Sequence, residues 1–240
     1  EDLSSLKIGG LLKTTLLDYP GKVACTIFTS GCSYKCPFCH NRDLVYIPEN
    51  YQFLDVDEIF QFLDKRKNIL DGVCISGGEP LMQEKLIPFL KEIKKRGYDI
   101  KLDVTGNYLD RLKEIVDAKL VDYIAMDVKN TKEKYALTVG SDAESFPVES
   151  IDACISYIRT CGISYEFRTT IVRELHTKED LVAMAKWLKG VNAWYLQQFQ
   201  DSPNCIQEGF HSYNKQEMLE ILEAVKQYVP NAEVRGVKED

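Results

Sequence analysis

The sequence predicts an α/β fold built on a largely parallel sheet. Short apolar runs of strand length alternate with segments of helical period along nearly all of the 240 residues, and six strand-plus-helix units can be counted. The residues with chemical potential gather just after the ends of strands. With 45% hydrophobic residues the chain is long enough for one sizeable core. Residues 1–240 therefore read as one domain, with a strand-and-turn extension over about residues 1–21 and a closing helix and edge strand over about 214–240.

Each element has its own signal. The N-terminal stretch contains LLDYPGK, whose Pro20-Gly21 pair marks a turn, and the first strand of the repeating pattern covers residues 23–29. The Asp71-Gly72 turn introduces the second strand, residues 73–76. Between them Val56, Ile59, Phe60 and Leu63 fall on one helical face, and Asp55 and Glu58 have the spacing of a capping box. A helix over 84–96 stops at Gly97, a residue suited to the left-handed position beyond a helix end, and a strand over 100–104 follows. Strands at 123–128, 165–172 and 194–199 are separated by helices near 109–118, 151–160 and 177–189. A last helix, 215–228, starts after an Asn214 cap, and AEVRGV supplies an edge strand. Between Asn130 and Ser150 the pattern lapses into a polar stretch, read as a surface loop or a short helix.

Composition narrows the function classes. A net charge of −7 argues against a general nucleic-acid binder or a protein held on an anionic membrane, since both call for a basic face. A protein partner or a small substrate fits better. No apolar run reaches bilayer-spanning length, and EDLSSLKIGG lacks the basic and apolar regions of a secretory signal, so the expected location is the cytoplasm. Of the eight cysteines, Cys32, Cys36 and Cys39 crowd into SGCSYKCPFCHN, which reads as a metal site in a reducing compartment rather than a disulfide framework.

That triplet follows directly on the first strand. Spacings of three and two residues let one short loop present three thiolates to three corners of a cubane cluster, leaving one iron open. The alternative is a structural zinc site completed by His40 or a distant cysteine, although His40 adjoins Cys39 and makes joint ligation awkward. ISGGEP comes directly after the second strand; its glycines permit close approach to the backbone and Glu79 can accept hydrogen bonds from an ammonium group. LDVTGN and AMDVK end the next two strands and place Asp103, Thr105, Asp127 and Lys129 toward the same end of the sheet. Arg168 lies in the otherwise uncharged YEFRTTIV, where burial demands a partner. Gln197 and Gln198 read either as ligand-binding or as filling polar space. Cys25, Cys74, Cys154 and Cys161 sit in apolar patterns as small buried hydrophobes, and Cys205 lies in a polar loop.

With these residues in view, the Cys-x3-Cys-x2-Cys pattern with Phe38 before the last cysteine resembles the signature of the radical S-adenosylmethionine (SAM) superfamily, and CPFCHNRD is similar to the glycyl-radical-enzyme activases. The resemblance implies a partial (β/α)6 TIM-like barrel as a single radical SAM domain, with the site at the strand C-termini. It implies a [4Fe–4S] cluster held by Cys32, Cys36 and Cys39, with SAM on the open iron. Phe38 and His40 are implied near the adenine; Gly77, Gly78 and Glu79 at the methionine amino group; and Arg168 at the SAM carboxylate or ribose. Activases of pyruvate formate-lyase carry DTNG and LDLK segments whose aspartates help bind a monovalent cation; Asp103 and Asp127 match, while Val104 and Thr105 depart from the pattern. The implied reaction is reductive cleavage of SAM and removal of a glycyl hydrogen from a partner enzyme, with flavodoxin or ferredoxin as reductant. KTTLLDYPGKVACTIFTSGCSYKCPFCHN resembles the activating proteins of anaerobic ribonucleoside-triphosphate reductase, which makes the large subunit of that reductase the expected partner. Pyruvate formate-lyase activation, a radical SAM reaction on a small molecule, and a non-catalytic zinc protein are the alternatives.

Overall fold

The computed structural model describes residues 2–238, and the chain divides into two compact units. One comprises residues up to Ser33, Asn41–Ala125 and Thr160–Ser164; the other comprises Tyr34–His40, Met126–Arg159 and the chain from Tyr165 onward.

In the first unit β1 (Ile8–Thr15) runs antiparallel to β2 (Ala24–Thr29). The turn between them is anchored. Tyr19 is buried, its ring 5.9 Å from that of Tyr123, and the Thr26 hydroxyl donates to Asp18 Oδ2 at 2.6 Å. Gly72 is required here, because a Cβ would lie 2.9 Å from the Tyr19 ring. The chain continues through α1 (Arg42–Val45), α2 (Val56–Lys65), β3 (Gly72–Gly77), α3 (Leu86–Lys95), β4 (Asp99–Val104), α4 (Leu109–Asp117) and the start of β5 (Tyr123–Asp127), whose last two residues belong to the second unit. β2, β3 and β4 pair in parallel in chain order, with Thr29 opposite Gly77 and Ile75 opposite Leu102, so their C-terminal ends are in step. Ile59 and Leu63 of α2, Leu86, Phe89, Leu90 and Ile93 of α3, and Leu112 and Ile115 of α4 are buried at helical spacing. Each such side chain contributes roughly 1.5–3 kcal/mol of burial.

The second unit holds α5 (Tyr135–Thr138), most of α6 (Val148–Thr160) and of β6 (Ser164–Ile171), then α7 (Lys178–Trp187), β7 (Trp194–Gln198), α8 (Lys215–Lys226) and β8 (Ala232–Arg235). β6, β7 and β8 are parallel and in chain order. Complete capping boxes start α7 (Thr177 with Asp180) and α8 (Asn214 with Glu217).

Several boundaries differ from those read in the sequence. The helix expected over 84–96 begins at Leu86, because Pro80–Met82 forms a separate 3-10 turn whose Leu81 N–H is capped by Glu79. At α2 the Asp55 side chain accepts the Asp57 N–H. In the polar stretch 130–150 the short-helix reading holds, as α5, and what the sequence did not show is that Tyr135 in it is fully buried, its ring stacked on Phe146 at 5.4 Å. Among the described residues no helix is long and apolar enough to cross a membrane.

Candidate active site

In the first unit three strand ends are tied together, two by backbone hydrogen bonds and the third through a buried carboxylate. Beyond β2, Gly78 N–H donates to Thr29 O at 2.9 Å and Glu79 N–H to Gly31 O at 2.7 Å, immediately before Cys32. Gly77 has φ of +113°, and a Cβ there would sit 2.3 Å from Thr29 O; one on Gly78 would sit 2.1 Å from Gly31 O. Glycines that the sequence offers as room for a ligand thus have a nearer cause in the packing of two backbones. Glu79 is fully buried. Its Oε1 accepts Leu81 N–H at 2.9 Å, and its Oε2 accepts both the N–H of Thr105, at 2.7 Å, and the Thr105 hydroxyl. A buried carboxylate supplied with several donors is stabilised in its charged form. Glu79 thus joins the end of β3 to the end of β4. Asn107 Nδ2 donates to Ser33 Oγ at 3.4 Å, which ties the β4 end to the cysteine segment. Asp103, one turn of the pleat before Thr105, bonds Lys101 Nζ at 2.6 Å.

In the second unit Tyr34–His40 carries Cys36 and Cys39 and is fastened on two sides. Lys35 N–H donates to Val139 O at 2.9 Å, and a Cβ on Gly140 (φ +67°) would lie 2.5 Å from Lys35 O. On the other side Ile206 and Gln207 donate backbone N–H groups to Cys39 O and Pro37 O at 3.2 and 2.8 Å. Cys205, buried, bonds Phe38 O at 3.7 Å and lies 3.6 Å from His40 Nδ1. Phe38 is buried edge-on to Phe199, and His40 stacks on the same ring at 5.4 Å. Nothing in the polar sequence around Cys205 signalled this contact.

Charge in this unit centres on Asp127 at the end of β5. It bonds Arg168 Nε at 3.1 Å and Lys129 Nζ at 3.3 Å. Burial would raise its carboxyl, but the Lys129 and Arg168 cations hold it down at about 2. Burial would lower Lys129, yet Asp127, then Cys36 and Cys39, raise it and keep the ammonium charged. Burial pushes the Cys36 thiol up to about 11, partly opposed by Lys129. His176, fully buried, accepts Val172 N–H at Nδ1 (3.0 Å), which leaves Nε2 to donate to Lys129 O at 2.7 Å; burial keeps its pKa low. Gln198 binds Tyr213 O and receives Lys238 N–H, and Gln197 meets Thr170, so both have structural partners.

Residues 26–188 match the family model described as the Radical SAM superfamily. Over 239 residues, 96% of each chain, the sequence is 30% identical to a Methanocaldococcus jannaschii protein whose name places it provisionally among the glycyl-radical enzyme activating enzymes. It is 29% identical over 183 residues, 73% of each chain, to a pyruvate formate-lyase-activating enzyme of Clostridium pasteurianum. Among solved structures, Streptococcus suis SuiB bound to S-adenosylmethionine is similar with a TM-score of 0.65 at 14% identity, over 85% of this chain and 48% of that one. Fold and match together define the class, an α/β enzyme of the partial (β/α)6 radical SAM type. Within that superfamily, the chain belongs to the glycyl-radical enzyme activating enzymes.

The family implies a [4Fe–4S] cluster and SAM. The donor chemistry suits the cluster: thiolate sulfur is the ligand that iron–sulfur clusters take, and the Lys129 ammonium partly offsets the burial that disfavours a Cys36 thiolate. Among the described residues no three His, Cys, Asp or Glu side chains converge as a ready metal site, so the three-ligand set rests on the Cys-x3-Cys-x2-Cys spacing. The monovalent cation fits less well. Asp103 and Asp127, its expected ligands, already carry Lys101, and Lys129 with Arg168.

Proposed function

We propose that this chain reductively cleaves SAM and removes a hydrogen atom from a backbone glycine of anaerobic ribonucleoside-triphosphate reductase. Cys32, Cys36 and Cys39 are the residues that would hold the cluster. When bound, the cluster would supply the one electron that reductive cleavage of SAM to methionine requires, and the 5′-deoxyadenosyl group would carry off the glycyl hydrogen as 5′-deoxyadenosine. The protein's task is placement and exclusion of water.

Arg168, fixed beside Asp127, is suited to a SAM carboxylate or ribose oxygen. Gly77, Gly78 and Glu79 would offer the β3 end to the methionine amino group, with Thr105 and Asp103 beside them. Phe38 and His40, ordered against Phe199, would face the adenine. The electron donor in this reading is flavodoxin or ferredoxin, and the location is the cytoplasm.

The observation that carries the family-level reaction is identity of 30% across 96% of both chains to the Methanocaldococcus jannaschii protein named provisionally as a glycyl-radical enzyme activating enzyme. The choice of reductase rests on the resemblance of KTTLLDYPGKVACTIFTSGCSYKCPFCHN to the activating proteins of that enzyme. The test mixes reduced protein, SAM and the large subunit of the reductase and records the electron paramagnetic resonance spectrum. A glycyl radical doublet is expected. A doublet on pyruvate formate-lyase and none on the reductase would reassign the partner.

A further inference from the structure

Lys101 is a lysine almost wholly inside the protein: its side chain is 2% exposed and that of its partner Asp103 is 12% exposed. Both point to the same face of β4, two residues apart, so the ammonium reaches Oδ1 of Asp103 at 2.6 Å along the strand. Cys74, opposite Lys101 in the parallel register of β3 and β4, places its Sγ 3.8 Å from the same nitrogen. A charge withdrawn from water this far requires its counter-charge, and taking either partner away leaves the other uncompensated. The ammonium is also tethered. An exchangeable monovalent ion loses translational freedom and hydration when it binds, whereas Lys101 is already in place. A second cation at Asp103 would meet Lys101 as a like charge in a medium of low polarity. In the other unit the Asp127 carboxylate has its own cations in Lys129 and Arg168.

We infer that Lys101 is the built-in cation of Asp103, taking the position of the exchangeable monovalent ion expected there. This inference rests on the radical SAM reading for its meaning in catalysis, but its first measurement does not depend on that reading. Lys101 acts through Asp103 and is a positioning residue.

The experiment uses cluster-loaded protein in choline, sodium or potassium chloride at constant ionic strength, and follows the unfolding temperature and the rate of 5′-deoxyadenosine formation. The wild-type protein is expected to show the same unfolding temperature and the same rate in all three salts. Lys101→Met should gain a saturable rise in unfolding temperature with potassium or sodium, and a several-fold recovery of rate. The double variant Lys101→Met with Asp103→Asn should be indifferent to salt again. A saturable stabilisation of the wild-type protein by either ion would overturn the inference, as would a folded Lys101→Met that ignores both ions. If that variant does not fold, the wild-type measurement decides alone. Absence of SAM cleavage in every salt, with the expected temperature pattern, would remove the activase reading and leave Lys101 as assigned.

Discussion

The Glu79 carboxylate receives the backbone N–H of Thr105 at 2.7 Å, so the ends of β3 and β4 are joined through one buried side chain. Glu79→Gln presents a single acceptor oxygen where two are in use. It should destabilise the protein by about 2 kcal/mol, the usual scale for a lost hydrogen bond to a charged group. Urea unfolding of the protein without SAM measures this. An unchanged midpoint would show that the carboxylate is not a structural tie.

Cys205 and Cys36 are both buried thiols near the Tyr34–His40 loop, but only Cys36 belongs to the triplet. Cys36→Ala should abolish iron retention after anaerobic reconstitution, whereas Cys205→Ala and Cys154→Ala should retain it. Cys205→Ala should still lower stability by about 1 kcal/mol, through the lost contact to Phe38 O and the small cavity. Iron loss in Cys205→Ala equal to that in Cys36→Ala would make Cys205 a ligand.

His176 gives the fold a dependence on mildly acid pH. Burial lowers its pKa in the folded protein below the ordinary 6.5, so below that pH the unfolded chain takes up a proton that the folded one resists. The stability is complete above about pH 6.5 and falls as the pH drops through the lower folded value. Unfolding temperatures at pH 7.5 and 5.5 should differ more for the wild type than for His176→Gln. Equal differences would mean that other groups set the response.

Asp127 acts in a lower window. Its carboxyl sits at about 2 in the folded protein against 3.8 ordinarily, so its contribution is present above about pH 3.8 and is lost as the pH falls toward 2. Shifts of this size correspond to about 2 kcal/mol. Asp127→Asn should flatten the acid limb of the stability curve while lowering stability at neutral pH, because Lys129 and Arg168 lose their counter-charge. An acid limb as steep in the variant as in the wild type would contradict this assignment.

Much of this molecule is legible in its sequence. Strands and helices announce themselves by period, Gly97 has the left-handed φ expected after a helix (+85°), and Asn214 caps α8 as read. What the sequence hides follows from distance and from alternation. Lys101 stands between Ile100 and Leu102, where a charged residue reads as the solvent side of a strand; both faces of β4 are covered, so the side chain turns inward to Asp103. Cys205 is separated from His40 by 165 positions, and its polar neighbours suggest exposure where the thiol is in fact enclosed. Tyr135 lies in a stretch with no clear period because a helix of four residues is too short to show one. The glycines after β3 stand plainly in the sequence, but only the folded chain brings the Thr29 and Gly31 backbones against them.

Radical cleavage of SAM by a cluster on the cysteine triplet underlies the whole of the proposed function. Its most direct test is the amount of 5′-deoxyadenosine formed by anaerobically reconstituted protein with SAM, with and without dithionite. Product is expected only with the reductant, and none from Cys36→Ala. A protein fully loaded with iron and sulfide that forms no 5′-deoxyadenosine under dithionite would contradict it.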